Sequence, residues 1–296
     1  MKSKEHSFIL SLLLFLILAS GKAQDIDAML EEATGSSTDY TTATFKSTRI
    51  LNGHSIERMQ NGQLDVRIGH RFGEVNSGAY DLWGLDQSAN IFLGLEYGIT
   101  DWVMIGISRS KYDKIYNGFL KFSILRQSKG ERNMPVSLSL LTSCGYSTLK
   151  WDKEGSLNAW DRMSYATQLL VARKFNERFS LEINPTYVHR NMVDTEMDPN
   201  DIFSAGAGLR FKLTKRFSLN AEYYYVVPPR HDYRSTKTYN PLAIGVDIET
   251  GGHVFTIMLT NSVAMIEQGF IGETTGDITN GGIHLGFNIS RVFALK

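Results

Sequence analysis

Apolar and polar residues alternate along this chain from Gly62 to its end, and this alternation restricts the fold more than any other feature. In "FSLNAEYYYVV", for example, Leu219 and Tyr223 fall on one face, and Asn220 and Glu222 fall on the other. Successive side chains of a β-strand point to opposite faces, so a period of two indicates strands with one apolar face. About twelve such segments follow one another without a convincing amphipathic helix, which predicts an all-β protein.

The connections between these segments favour a membrane barrel over a soluble sandwich. The joints "TD", "NER", "TKR" and "TGG", of two or three residues, follow the second, sixth, eighth and tenth segments, and the medium connection "QSKGERN" follows the fourth. Long polar connections follow most odd-numbered segments. Short turns at one end and long loops at the other are typical of outer-membrane barrels. The sequence therefore predicts an antiparallel transmembrane β-barrel of about 12 strands. Pro185 lies inside one segment and is expected to produce a bulge or a shorter strand.

Side chains on the two faces fit the two environments of such a barrel. Aromatic residues collect near the segment ends, where amphipathic rings favour the membrane interfaces. The polar face carries charges of both signs, which suits a narrow lumen with internal ion pairs and weak ion selectivity. The residues predicted to face the lumen are Asp65, Arg67, Arg71, Glu96, Lys121, Glu182, Arg210, Lys212, Glu222, Asp247 and Glu249.

The N-terminus is typical of an export signal. Lys2 and Lys4 precede an apolar run from Phe8 to Ala19, and small residues precede a cleavage site expected near Ala23. The predicted organisation is a signal peptide (1–23), a periplasmic N-terminal segment (24–61) and a transmembrane barrel (62–296). The chain has one cysteine, so no internal disulfide is expected.

Candidate chemical sites are weak. Asp194, Glu196 and Asp198 alternate like the ligands of a calcium loop, but the expected glycine and final glutamate are missing, so a solvated loop is favoured. The histidines lack metal-ligand spacing, no cofactor motif is present, and no serine and histidine are marked as a catalytic pair. We therefore expect no enzyme and no cofactor. The balance of 31 basic and 31 acidic residues argues against a nucleic-acid partner.

Four stretches carry a resemblance to a known family: "TFKSTRILNGHSIE" (44–57), "GQLDVRIGHRFG" (62–73), "LGLEYGITDW" (93–102) and "MPVSLSL" (134–140). Together they resemble a family of outer-membrane β-barrels of unassigned function from the Bacteroidota. The resemblance implies the fold and the outer-membrane location, but no activity. The C-terminal strand, with Phe293 near its end, looks like the signal read by the barrel-assembly machinery.

Two roles are open for residues 43–58. The favoured one is a periplasmic lead-in that pairs with the first strand. The alternative is a partial plug in which Arg49, His54 and Glu57 meet charges of the lumen.

The function expected from this sequence is passage or uptake of a small solute through a narrow channel, with outer-membrane lipid around it. One alternative is a structural or interaction barrel whose extracellular loops bind a partner. A lipid hydrolase of the outer membrane is the third possibility.

Overall fold

The computed structural model describes residues 37–150, 158–227 and 236–295. The predicted signal peptide lies outside these residues. The strands are β1 (Thr38–Tyr40), β2 (Gln63–Glu74), β3 (Asn90–Gly98), β4 (Val103–Ser110), β5 (Ile115–Leu125), β6 (Ser128–Gly130), β7 (Ser137–Ser147), β8 (Met163–Lys174), β9 (Phe179–Arg190), β10 (Asp201–Lys212), β11 (Phe217–Val227), β12 (Leu242–Thr250), β13 (His253–Thr260) and β14 (His284–Ala294).

Twelve of these strands form one closed barrel. Neighbours in the sequence are antiparallel neighbours in the barrel, β5 pairs with β7, and β14 pairs with β2 to close the sheet. The predicted all-β, antiparallel, twelve-stranded barrel is confirmed. Closure leaves no strand edge unpaired, which is the condition for a sheet to lie in lipid.

The two remaining strands, apart from Tyr40 at the end of β1, belong to a separate small unit. Residues 37–39 and 128–133 make up its described part, in which β1 pairs with β6 as a two-stranded sheet. The barrel unit comprises residues 40–127 and 134–295 of the described chain.

The prediction for Pro185 is wrong. Strand β9 is unbroken, and Pro185 keeps its place opposite Ala205 of β10. On the other side, the ladder to β8 omits Pro185 and Asn184 and then resumes in the same register. The absent N–H therefore removes local pairing without inserting a residue. Register shifts occur instead between Ser123 and Leu125, and at the start of β14.

The strand faces follow the predicted alternation. Large apolar side chains on the outside are exposed, with aromatic rings near both ends of the barrel. Those near the short turns include Trp102, Phe175, Phe211, Phe217 and Phe255, and those near the long loops include Tyr116, Tyr187, Phe203, Tyr223 and Tyr225. The polar side chains of the other face are buried inside the barrel.

Helical structure is sparse. Short 3-10 turns occupy Val75–Ser77, Ala79–Gly84, Tyr112–Lys114 and Ile278–Asn280. The described residues contain one α-helix, α1 (Glu267–Gly272), in the connection between β13 and β14, and all six of its residues are buried. In the described part of the chain, no helix has both the length and the apolar character needed to cross a membrane.

Candidate functional site

Among the residues that the structure describes, two segments that are not strands fill the barrel interior. The first, residues 43–59, is called the plug segment here, and the second, residues 261–283, is called the inward loop. Phe45, Ile50 and Leu51 of the plug segment and Phe270 and Ile271 of the inward loop are each no more than 2 % exposed. The barrel interior is therefore filled by polypeptide that belongs to the plug segment and the inward loop.

The centre of the plug segment is a small hairpin. Ser55 donates its backbone N–H to the carbonyl of Thr48 (2.9 Å), Arg49 and His54 form an antiparallel bridge, and Ile50 donates to Gly53 (2.9 Å). The pairs Arg49–His54 and Ile50–Gly53 leave Leu51 and Asn52 at the tip, and Gly53 follows directly after them. The hairpin needs this glycine, because a Cβ on Gly53 would lie 1.9 Å from the hydroxyl oxygen of Tyr224.

A carboxylate of the barrel wall binds the tip of this hairpin. The backbone N–H groups of Leu51, Asn52 and Gly53 all donate to the two carboxylate oxygens of Glu222, at 3.3, 2.8 and 3.2 Å. Successive backbone N–H groups that converge in a turn form a concave anion site. Here the anion is a side chain of β11, which fixes the plug segment to the wall.

Three further wall residues bind the backbone of the plug segment. Glu182 accepts from the N–H of Ile56 at 2.6 Å. The ammonium of Lys121 donates to the carbonyls of Ser55 (3.0 Å) and Glu57 (2.8 Å). In addition, Arg210 donates to the carbonyls of residues 43 and 44, at 2.8 and 3.2 Å. These hydrogen bonds involve charged groups, which makes them stronger than neutral ones.

Side chains of the plug segment complete the polar contacts. Arg67 donates to the hydroxyl of Thr48 at 2.9 Å, and the same hydroxyl donates to Glu96. Arg71 donates to the side-chain carbonyl of Asn52 at 2.9 Å. Near the short-turn end, Lys46 forms an ion pair with the half-buried Glu249.

The structure buries most residues predicted to face the lumen. Nine of the eleven are at most 3 % exposed: Asp65, Arg67, Arg71, Glu96, Lys121, Glu182, Arg210, Glu222 and Asp247. Lys212 and Glu249 are only partly buried, because they lie at the strand ends beside short turns. Asp65 and Asp247 bind other wall residues: Asp65 pairs with Arg67 at 3.0 Å, and Asp247 accepts from Asn220 at 2.6 Å.

Residues 43–58 differ from the favoured expectation of a periplasmic lead-in. They lie among buried wall side chains of β2, β5, β9 and β11. Their backbone N–H and carbonyl groups form hydrogen bonds with charged side chains of these strands. Arg49 and His54 meet charged residues of the interior, as the plug alternative expected. The carboxylate of Glu57 accepts from the N–H of Phe45 within the same segment (3.1 Å), and it also lies within electrostatic reach of the wall residues Arg210 and Glu182.

The inward loop corrects a second expectation, that the long connection after β13 is a polar external loop without a helix. It turns into the barrel and meets the plug segment, where Arg49 donates to Glu267 of α1 at 3.2 Å. His54 lies 3.7 Å from the same carboxylate oxygen. The signal in the sequence was the apolar content of "VAMIEQGFIG", which is unusual for a solvated loop.

Apolar contacts reinforce both segments. Ile50, Leu51 and Ile56 pack against Leu170 and Met258 of the wall. A separate cluster joins the inward loop to other strands, through Phe270, Ile271, Val188, Ile202 and Tyr224. The plug segment and the inward loop therefore pack against inward-facing apolar residues of the wall. Sequence reasoning missed this role because it assigned the inner face to polar residues.

Ionisable groups also gather where the inward loop meets the long loops. Glu273 accepts from Arg190 at 2.9 Å and lies beside the carboxyl group of Asp113. Burial and then the neighbouring Asp113 raise the pKa of Glu273 to about 7, although Arg190 opposes the shift. Burial also raises the pKa of Asp113. The two carboxyl groups therefore share a site that holds less than its full negative charge near neutral pH.

The candidate calcium loop is not assembled. Asp198 accepts from the N–H and hydroxyl of Thr195 and so closes its own turn, while Asp194 and Glu196 are exposed. Within residues 37–150, 158–227 and 236–295, no three acidic, histidine or cysteine side chains are placed to hold a metal ion. In the same ranges, the hydrogen bonds of histidine rings run to Asp201 and to the carbonyl of Phe72, and none runs to a serine.

Solved structures of other barrels resemble this chain. The NanC porin is 11% identical over 77% of this chain and 98% of its own, with a TM-score of 0.47. An outer membrane channel from Pseudomonas putida F1 is 13% identical over 84% of this chain and 100% of its own, with a TM-score of 0.46. The outer membrane phospholipase A from Escherichia coli is 11% identical over 79% of this chain and 91% of its own, with a TM-score of 0.40.

No curated protein matches the chain. A family model does match, that of the membrane bound beta barrel domain DUF5777, and the match covers residues 45–293. The matched range includes the twelve barrel strands up to the penultimate residue of β14, the inward loop and nearly all of the plug segment. This protein belongs to the DUF5777 family of membrane-bound beta barrels.

Proposed function

We propose that the protein is an outer-membrane channel for a small polar solute and that the plug segment and the inward loop close it in the state described above. The observation that carries the proposal is the binding of the plug backbone by charged wall residues, above all by Glu222. The strands of the wall do not block the lumen by themselves. A separate stretch of chain occupies the lumen and is fixed there mainly by polar contacts.

Such a filling is suited to movement. A buried charge is costly unless it is paired or hydrogen-bonded, so the wall charges need either the plug backbone or water. If the plug segment leaves, water can replace it at Lys121, Glu182 and Glu222. The apolar contacts of Ile50 and Leu51 oppose departure, because each buried side chain contributes about 1.5–3 kcal/mol. The closed and open states can therefore be close enough in free energy to interconvert.

The outer membrane is the proposed location. It is supported by the short turns at one end of the barrel, the long loops at the other and the aromatic rings near both. On this orientation the long loops are extracellular, and the plug segment enters from the periplasm. The signal peptide cleaved near Ala23, the Bacteroidota origin and recognition by the assembly machinery through Phe293 stay predictions.

The test is deletion of residues 43–58, followed by single-channel recording in planar bilayers. We expect conductance to increase, with weak ion selectivity because the exposed wall carries both signs of charge. The β-sheet signal in circular dichroism provides the control for folding. A folded deletion variant with the conductance of the full chain would contradict closure by the plug segment.

A second candidate is the interaction barrel, and one observation favours it. The plug segment enters the lumen from one end and the inward loop from the other, and the two segments meet at Arg49 and Glu267. A barrel sealed in this way can serve as a rigid support for loops. If deletion variants lacking the plug segment, the inward loop, or both stay silent in bilayers, and partner capture depends on the external loops, this function is the correct one.

A lipid hydrolase remains the third candidate. It requires a serine hydroxyl activated by a histidine at the lipid face. The histidine contacts described above do not favour it, and the test is release of fatty acid from detergent-solubilised phospholipid.

A further inference from the structure

The charged residues of the barrel wall bind the plug segment mainly through its backbone. The hydrogen bonds that Glu222 and Glu182 accept from this segment come from the backbone N–H groups of residues 51, 52, 53 and 56. Those that Lys121 and Arg210 donate to it run to backbone carbonyls. The carboxylates of the wall therefore face the donors of a peptide backbone, and the cations face its acceptors.

Such recognition depends little on the side chains of the bound segment. Every residue except proline carries the same backbone N–H and carbonyl groups, so another peptide in this conformation can form the same hydrogen bonds. Two charged contacts of the plug side chains are less close. The Nε2 atom of His54 lies 3.7 Å from Glu267, and the Nε atom of Arg49 lies 3.7 Å from Glu96, which is too far for a hydrogen bond. The wall therefore fits the backbone of the plug segment more closely than it fits these side chains.

Two glycines of the wall make space for aliphatic side chains at the hairpin tip. A Cβ on Gly208 would lie 2.2 Å from the Cδ1 atom of Ile50, and one on Gly245 would lie 2.8 Å from the Cδ2 atom of Leu51. Both aliphatic side chains are buried against the wall. Glycine permits such close approach because it has no Cβ. The wall therefore provides two adjacent apolar subsites next to the carboxylate of Glu222.

We propose that the inner wall around Glu222 is a binding site for short peptides and that the plug segment occupies it as an internal ligand. The ligand places consecutive backbone N–H groups on Glu222, carbonyls on Lys121 and two adjacent aliphatic side chains beside Gly208 and Gly245. An oligosaccharide fits less well, because it has no series of backbone N–H groups that converge on a carboxylate. The site stands on these wall contacts, and the further step, that peptides are the transported solute, rests on the proposed channel.

The test uses a synthetic peptide of residues 48–57 with both ends blocked. It is titrated calorimetrically into the variant that lacks residues 43–58, in non-ionic detergent. We expect saturable binding of the peptide and no binding of maltotriose, an uncharged oligosaccharide. Binding to the full chain should be much weaker, because the tethered plug segment competes at an effective concentration on the order of millimolar.

Substitutions in the wall locate the bound peptide. In the deletion variant, Glu222→Ala and Lys121→Met are each expected to weaken binding about tenfold or more, because each removes hydrogen bonds to a charged group. Asp247→Asn is the matched control and should bind as the unsubstituted wall does, since Asp247 accepts from Asn220 and Thr256 of the wall.

A change in the peptide backbone separates recognition of the backbone from an indirect effect on folding. Methylation of the backbone nitrogen of Asn52 removes one of the donors to Glu222. The methylated peptide should bind the unsubstituted wall about tenfold more weakly than the parent peptide. The two peptides should bind Glu222→Ala equally, because the acceptor is absent there and the two changes are coupled.

A second variant keeps the test valid if the deletion variant does not fold. Gly53→Ala in the full chain should loosen the plug segment, since its Cβ would lie 1.9 Å from the hydroxyl oxygen of Tyr224. With Ser55→Cys and Cys144→Ser also present, excess peptide should displace the plug segment and increase thiol labelling at position 55 by at least about threefold. The peptide has glycine at position 53 and so avoids the clash.

Four results would overturn the proposal: absence of saturable peptide binding to a folded deletion variant, equal binding by Glu222→Ala and the unsubstituted wall, equal binding by the full chain, or labelling that excess peptide does not change. Peptide binding that depends on Glu222, in a barrel that never conducts, would keep the site and reject the channel. Conductance by a barrel that binds no peptide would keep the channel and reject the site.

Discussion

Replacement of Glu222 by alanine is expected to release the tip of the plug hairpin. The wild-type carboxylate accepts from three consecutive backbone N–H groups, those of Leu51, Asn52 and Gly53, in a site that is almost fully buried. The variant leaves these donors without their acceptor. Asn288 still donates to the carbonyl of Leu51 at 2.9 Å, so the hairpin loses only the hydrogen bonds that its backbone N–H groups donate to Glu222.

The size of the effect follows from the number of donors. A buried donor without a partner costs about 1–3 kcal/mol, so three of them cost about 3–9 kcal/mol in a dry site. Water can enter the space that the side chain vacates, which favours the lower limit. A change of about 3 kcal/mol shifts the ratio of closed to open barrels by about 150-fold.

Two measurements report the change in the ratio of closed to open barrels. The first is the open probability in planar bilayers. The second is the rate at which a water-soluble thiol reagent labels Ser55→Cys in a Cys144→Ser background, because Ser55 is fully buried while the plug segment is in place. We expect both to rise strongly in Glu222→Ala and less in Glu222→Gln, which keeps one acceptor oxygen.

Asp247→Asn is the matched control. Asp247 is also a buried carboxylate of the wall, but it accepts from the wall residues Asn220 and Thr256. It should leave thiol labelling near the wild-type rate. Two outcomes would show that the backbone contacts of Glu222 do not hold the plug segment. In the first, a folded Glu222→Ala variant is labelled and conducts like the wild type. In the second, Asp247→Asn increases labelling and conductance as much as Glu222→Ala does.

The remaining predictions concern pH, close packing and a single cation. Burial and the neighbouring Asp113 raise the pKa of Glu273 to about 7, so the stability that its protonated form contributes is complete below about pH 4.5 and is lost as the pH rises through about 7. The protection factors of the α1 amides, which correct exchange for its base-catalysed chemical rate, should therefore fall over this range in the wild type, and unchanged protection there would contradict the assignment. In Glu273→Gln the protection factors should be nearly independent of pH. Gly98→Ala should destabilise the barrel by about 1–3 kcal/mol, because a Cβ there would lie 2.0 Å from a backbone oxygen of the segment leading into β2. Gly118→Ala, whose Cβ meets nothing closer than 3.9 Å, should melt within a degree or two of the wild type, and equal melting of both variants would refute the steric argument. Lys121→Met should increase thiol labelling at position 55 by about tenfold, because three carbonyls of the plug segment lose a charged donor, and an unchanged rate would show that this cation is not needed for closure.

The strands of this barrel could be read from the sequence because their pattern is local. A residue and its second neighbour share a face whatever lies across the sheet, so Asp65, Arg67 and Glu96 could be placed inside from their own segments alone. Pro185 shows the limit of local reasoning, since a missing N–H can be accommodated by lost pairing or by a bulge, and the neighbouring strands decide which occurs.

The sequence by itself determined the alternating strands, their number, the loop lengths and the sorting of charges to one face. Only the tertiary structure decided what those charges bind. The carboxylate of Glu222 lies about 170 positions from the N–H groups that it accepts, and Glu267 lies about 220 positions from Arg49. No local pattern records such pairings, because backbone N–H groups are the same at every residue. They become specific only when barrel closure brings a buried charge opposite a turn with free donors.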